Sequence, residues 1–203
     1  MLQELNIEKK IERLEILNVL LSKPDDFIKS NISDDKLVEV LNEVFPEKNW
    51  ECFNESELKD NIIDNISRDY LYLFVGVSKP LASPYMSSYY RANSRLMDTP
   101  AREMLALMKK WGIEKDSEYK DLPDHFLTII NLMSVLLSSS LELEEELLID
   151  DINNDIRELA GKTYDYLPKV IEKVVENEKA KYYSIFLQLL MDEMEILKEH
   201  EIR

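Results

Sequence analysis

The sequence predicts an all-α protein, and three observations carry that prediction. Apolar residues recur at spacings of three and four along most of the chain, which is the period of one helical face. Glycine is scarce, with 3 in 203 residues, too few for a fold built on tight turns. No segment alternates apolar and polar residues in the manner of a half-buried strand, and no internal repeat is visible. With 45% hydrophobic and 33% charged residues, a chain of this length can bury about 70% of its unfolded surface. The expected architecture is one globular helical bundle over residues 1–203.

Each element follows in chain order. Ile7, Ile11, Leu14, Leu17 and Leu21 form a helical stripe stopped near Pro24. Ser33 caps a second helix carrying Leu37, Val40, Leu41 and Val44 and ending before Pro46. Asn54 and Glu57 have the spacing of a capping box. They open a helix through Leu58, Ile62, Ile66, Tyr70, Leu73 and Phe74 that closes at Gly76. Between Val77 and Met97 the period breaks into a loop or short helix rich in Tyr, Ser and Pro. Thr99-Pro100 starts the next helix, with threonine as cap and proline behind it, and the helix runs to Trp111-Gly112. A polar connection, Ile113 to Asp121, leads to an apolar helix from Phe126 to Leu137, with Pro123 suited to its first turn. The carboxylate run Glu142 to Glu146 reads as a solvated face or connector. Ile152, Ile156 and Leu159 make a further helix, Tyr164 to Pro168 a corner, and Tyr182 to Leu197 a long final helix. Gly76, Gly112 and Gly161 each follow an apolar run, where left-handed helix caps place glycine.

Charge and composition narrow the function. A formal net charge of −16 repels nucleic acid and anionic membrane surfaces and favours a basic partner. The single Cys52 excludes an internal disulfide and a cysteine-based zinc site. His125 and His200, the only histidines, are far apart, and no EF-hand spacing occurs, so no metal is expected. No apolar stretch approaches the ~20 residues that span a bilayer, and no basic-then-apolar leader opens the chain. The expected protein is soluble and cytoplasmic. Phosphate-cradling and dinucleotide motifs are absent, and no cofactor is expected.

Leu122-Pro123-Asp124-His125 is the most informative run. An acid and a histidine at a helix start can form a catalytic dyad, a polar anchor for a peptide or a helix cap. Ser87 or Ser88 could approach His125 as a nucleophile. No Gly-x-Ser-x-Gly elbow supports them, so no catalytic residues are assigned. Tyr70, Phe74, Tyr85 and Tyr89 are either core or the lining of a groove for an apolar peptide, with Asp124 and His125 at its rim.

The runs Tyr70-Leu71-Tyr72-Leu73-Phe74-Val75-Gly76, Pro84-Tyr85-Met86-Ser87-Ser88-Tyr89 and Leu122-Pro123-Asp124-His125-Phe126 stand in the order and approximate spacing of one family. The chain resembles the TorD/DmsD-type redox-enzyme maturation proteins, which are related to the NarJ-type chaperones. Tyr166-Leu167-Pro168 looks like that family's later Trp-x-Pro corner, and Tyr182-Tyr183 like the aromatic pair of its last helix. Tyrosine stands for tryptophan at Tyr70 and Tyr166, and Ile129 and Asn131 occupy positions where many members carry glutamate. The resemblance implies an all-helical chaperone without catalysis. It would bind the twin-arginine leader and the apo form of a molybdenum or tungsten oxidoreductase, delay its export and assist cofactor insertion. It further implies that Tyr70, Leu73, Phe74, Pro84, Tyr85, Ser87, Tyr89, Asp124 and His125 form or support the peptide site, with Asp124 nearest an incoming arginine. A NarJ-like assembly factor for a client that is not exported is the neighbouring reading, and a Ser/His hydrolase the enzymatic one. Polar hinges at Ile113 to Asp121 and Glu142 to Asp151 allow either a monomer or a domain-swapped dimer.

Overall fold

A computed structural model describes residues 6–25, 29, 32–50, 53, 61–76, 79–93, 95–116, 120–177 and 181–199. Its helices are α1 (Ile7–Leu21), α2 (Asp34–Val44), α3 (Ile62–Tyr70), α4 (Ser87–Tyr90), α5 (Thr99–Lys110), α6 (Phe126–Glu142), α7 (Glu146–Val175) and α8 (Lys181–Glu199). No strand occurs among the described residues. The one β feature is an isolated antiparallel bridge between Tyr85 and His125.

Helix α6 lies at the centre because its polar face is narrow, little more than Asn131, Ser134 and Ser138. Phe126, Ile129, Ile130, Met133, Leu136 and Leu137 are all buried, and a helix apolar on most of its circumference is stable only inside. Helix α1 lays Leu14, Leu17 and Leu21 against it, and α7 packs on another side. Helices α7 and α8 form the most extensive helix pair, with Tyr183, Phe186 and Leu190 fully covered. Each such side chain contributes roughly 1.5–3 kcal/mol by leaving water, so this layer holds the fold together.

The caps show which local signals succeed. Asn6 accepts the Lys9 amide at 2.8 Å and Ser33 the Lys36 amide at 3.2 Å, so α1 and α2 begin where sequence places them. The Asn54–Glu57 box and Leu58 lie outside the described residues. The described part of that helix starts after Asn61, which stands in the left-handed region at φ 65°. Its last turn, Leu71–Val75, is a π-helix closed by Gly76.

Four expectations need correction. The cap of α5 is Asp98, which accepts the Thr99 amide at 2.7 Å, so Thr99 is the first helical residue and Pro100 the second. Pro123 lies before α6, whose cap is His125. Gly161 sits inside α7 and caps nothing. The corner at Tyr164 to Pro168 does not exist, because α7 runs straight through it from Glu146 to Val175. A proline in a helix interior costs about 3 kcal/mol or more. Against that, Leu159, Ala160, Thr163, Tyr166, Leu167 and Val170 keep one continuous buried stripe across the proline, and packing of the long helix prevails.

Candidate functional site

The site is built where two distant segments meet edge to edge. Phe126 donates its amide to the Pro84 carbonyl and Met86 to the Asp124 carbonyl, both at 3.0 Å. Pro84 and Asp124 are buried as a result, with Tyr85 half-buried beside them. Asp124 then reaches across the join, and its Oδ2 accepts the Ser87 amide at 2.7 Å. The carboxylate therefore caps α4, the four-residue helix of the other segment, instead of α6. Isolated helices this short do not persist in water, so α4 depends on tertiary contacts, of which the Asp124 bond is one and the packing of Tyr89 on Tyr166 another.

His125 caps α6 itself. Its Nδ1 accepts the Leu127 amide at 3.1 Å, which assigns the proton of the neutral ring to Nε2. Burial pulls its pKa down to about 4, against the opposing pull of the Asp121 and Asp124 carboxylates. At neutral pH the ring is uncharged and packed between Tyr85 and Phe126, with centroids 5.1 and 4.7 Å away. Asp124 forms no dyad with this imidazole, since its Oδ2 accepts the Ser87 amide and the ring's Nδ1 accepts the Leu127 amide. Neither serine hydroxyl serves His125. Ser88 shares a 2.6 Å hydrogen bond with Ser83, and Ser87 is buried with its Oγ unpartnered. His125 bonds to neither serine, so the nucleophile–base pair of a hydrolase is not assembled.

Three of the aromatic residues singled out in the sequence, Tyr70, Phe74 and Tyr85, lie on one connected chain, and Tyr89 lies apart from it. From Tyr85 it passes through His125 and Phe126 to Phe74 at 5.3 Å, and Phe74 contacts both Tyr70 at 5.4 Å and Tyr183 at 5.0 Å. A second contact joins Tyr89 on α4 to Tyr166 on α7 at 5.6 Å. Burial pushes the Tyr89 hydroxyl up to about 12 and Tyr166 well above the ordinary tyrosine range. Both are protonated donors at any working pH.

Leu73 and Phe74 are buried, so they support the surface from below. What meets solvent are their neighbours on the π turn, Leu71, Tyr72 and Val75, together with Leu81. Sequence reasoning passed these over, although inward Leu73-Phe74 between outward neighbours is the pattern of a half-exposed turn. Gly76 makes the geometry possible. At φ 65° and ψ 177° it occupies a region open essentially to glycine alone. A Cβ there would sit 2.1 Å from the Lys79 carbonyl oxygen. π turns of this kind recur at functional sites.

Among the described residues no cluster of three or more His, Cys, Asp or Glu side chains could hold a metal, and no helix is long and apolar enough to cross a membrane.

The sequence profile of the nitrate reductase delta subunit family matches residues 33–188. A chaperone protein TorD from Vibrio parahaemolyticus is 28% identical over 160 residues, covering 77% of this chain and 68% of that one. One from Vibrio vulnificus (strain YJ016) is 25% identical over 130 residues, 62% of this chain and 59% of that one. The chain thus spans roughly three fifths to two thirds of these relatives' lengths. A crystal structure of a protein described as a redox enzyme maturation protein, from Archaeoglobus fulgidus, shares the fold. It aligns over 97% of both chains with a TM-score of 0.54 at 16% identity.

Proposed function

This chain belongs to the nitrate reductase delta subunit family, and on that premise we propose that it is a cytoplasmic maturation chaperone for a molybdenum or tungsten oxidoreductase. It binds the twin-arginine leader of the apo-enzyme, delays its export and assists cofactor insertion. The observation that carries the reading is the overlap of two independent facts. The similarity to proteins named TorD chaperones runs through most of the chain, and the residues resembling that family's motifs meet in one aromatic, bridge-tied site.

The physical chemistry is consistent with such a ligand. A field of −16 steers guanidinium groups toward the surface. The exposed strip of Leu71, Tyr72, Val75 and Leu81 offers apolar area to the stretch that follows the arginines, in the manner of a helix laid on a groove. Tyr70, Leu73, Phe74, Pro84, Tyr85, Ser87 and Tyr89 shape and support that surface, and His125 holds it by capping α6. Asp124, expected from the sequence at the rim, is fully buried beneath this surface with Oδ2 on the Ser87 amide, so a charge-assisted pair with an arginine would require its cover to move.

The test is a tagged pull-down from anaerobically grown native cells, run with the wild type and a folded Asp124→Ala/His125→Ala variant. Recovery by the wild type alone of an uncleaved molybdoenzyme precursor is expected. No oxidoreductase in the wild-type eluate would overturn the reading. A second reading is favoured by the family's own description, which names a subunit of nitrate reductase. On that reading the client is an oxidoreductase subunit that stays in the cytoplasm, and the recovered protein would carry no cleavable leader.

A further inference from the structure

Charge is unevenly spread along this chain. Residues 79–110 hold six basic side chains and two acidic ones, in a protein whose net charge is −16. The fold gathers three of the basic ones at the start of α5. Arg91 and Arg102 share the Asp98 carboxylate that caps the helix, at 3.1 and 3.5 Å, and Arg95 is exposed in the loop between Arg91 and Asp98. One carboxylate among three guanidinium groups leaves a basic surplus. Two apolar side chains stand in solvent beside it, Leu96 at 52% exposure and Met97 at 42%.

The opposite kind of surface lies at the other end of α5. Lys110, in its last turn, reaches Asp151 and Asp155 of α7 at 2.9 and 2.5 Å, while Glu103, near its start, meets Lys162 at 2.9 Å. Helix α5 therefore runs antiparallel to the first half of α7, and the corner from α6 into α7 lies past its C-terminal end. That corner is the carboxylate run, with Glu142, Glu144, Glu145, Glu146 and Asp150 all exposed. Leu141 is 51% exposed there, and Leu147, at 82%, is the most exposed large apolar side chain among the described residues. Leu147 stands four residues before Asp151, in the same row of α7 that faces α5.

The two ends complement each other, yet α5 holds them ~18 Å apart at 1.5 Å per residue, so one chain cannot join them. We infer that this strip is the interface of a symmetric dimer, crossed by a second copy running in the opposite direction. The arginine end of each copy meets the acidic, leucine-bearing end of the other. The open groove between α5 and α7, about 330 Å³ in volume and lined by Met104, Leu107 and Leu159, lies near the twofold axis. An isologous contact makes each favourable pairing twice. Charge sets the direction of docking, and the exposed leucines and Met97 supply the apolar area that the pairs enclose. Repulsion between two acidic chains is screened beyond about 8 Å at physiological salt, so the close pairs decide. A strip ~30 Å long and two helices wide covers ~600 Å² per copy, the low end of specific interfaces, and the dimer is reversible. No helix is exchanged between the copies.

The experiment is analytical ultracentrifugation of the full chain over a concentration series, with no peptide or client present. Wild type is expected to dimerise at physiological salt, with an association constant at least tenfold lower in 1 M salt. Arg91→Glu/Arg95→Glu makes both ends of the strip acidic, and Glu142→Lys/Glu144→Lys/Glu145→Lys makes both ends basic. Each variant alone is expected to be monomeric. Mixed in equal amounts they are expected to form a heterodimer, because opposite charges again face each other at both ends. All five positions are exposed, and melting temperatures near that of wild type check the folds. Arg95→Glu alone, which leaves the Arg91–Asp98 pair in place, should weaken the dimer several-fold. A wild type that stays monomeric would overturn the inference and leave the arginine end to an acidic partner of another kind. So would a dimer that persists in both variants, the mark of helix exchange or of another face, and so would variants that remain monomeric when mixed. The result is independent of the leader-binding reading, since no leader is present.

Discussion

Glu193 and Asp124 are both fully buried, and the two carboxylates are compensated in different ways. Between α1 and α8, Glu193 is fully enclosed and shared by two cations, with Lys10 hydrogen-bonded to its Oε2 and Arg13 ion-paired with its Oε1. It meets Lys10 Nζ at 2.7 Å and Arg13 Nε at 2.7 Å. Arg13 also pairs with Glu47 and lies over the Phe45 ring, 4.5 Å from its centroid. Around Asp124 the burial is as complete, yet the carboxylate Oδ1, the Ser87 Oγ and the Tyr166 hydroxyl are left unsatisfied. The first cluster locks the N-terminal helix to the last one. The second stores unmet hydrogen-bonding capacity beneath a short helix. The difference teaches two ways a helical bundle buries a carboxylate, since one countered by cations ties two helices together and one held by a backbone amide fixes a single short turn.

The sharpest way to break the comparison is to cut the first cluster. Glu193→Ala leaves Lys10 and Arg13 buried without their shared partner and should cost roughly 3–5 kcal/mol in chemical denaturation. A loss below about 1 kcal/mol would show that the two clusters are not different in kind. Next in size is acidification. The His125 pKa is depressed to about 4 in the fold, below its ordinary value near 6.5. The unfolded chain thus binds the proton first, and stability falls as pH drops from about 6.5 toward 4. The loss is on the order of 3 kcal/mol. A His125→Asn variant, which keeps a side-chain cap acceptor, should flatten that part of the pH–stability curve. An unchanged slope would mean that other groups carry it. Gly76→Ala follows, at about 1–3 kcal/mol together with a distorted π turn. It should lower peptide affinity as well as the melting temperature, and retained affinity would detach the exposed strip from the site. Smallest is Ser87→Ala, which removes one orphan oxygen and should change stability by less than about 1 kcal/mol, in the stabilising direction. A clear destabilisation would mean that Oγ has a partner after all.

Much of the fold could be read from the chain, for reasons visible at particular residues. Stripes such as Leu14, Leu17 and Leu21 place helices, and Ser33 marks a start, because these signals act within one or two turns. Gly161 and Pro168 misled because they are local breakers overruled by a long buried face. The uninterrupted spacing from Leu159 through Tyr166 and Leu167 to Val170 was the sign that the helix continues. The site was less legible. Its motif residues do come together, but whether Asp124 is buried depends on a segment 37 residues earlier in the chain. No pattern near Asp124 reports that pairing, and none near Lys10 announces Glu193.

The bridge between Tyr85 and His125 also has a kinetic consequence. Joining segments separated by about 40 residues costs roughly 3 kcal/mol of chain entropy by loop-closure arithmetic, offset by only a few backbone bonds and the Asp124 cap. Helices α6, α7 and α8 can collapse first on contacts nearer in sequence. Closure of the join, and with it the geometry that sets Tyr85 against His125, then comes late in refolding. Stopped-flow refolding watched through a fluorescent leader peptide should show binding competence rising with the slowest phase. A newly made chain would thus be compact before it could engage a client, and a chaperone assembled in that order cannot seize its partner while still folding itself.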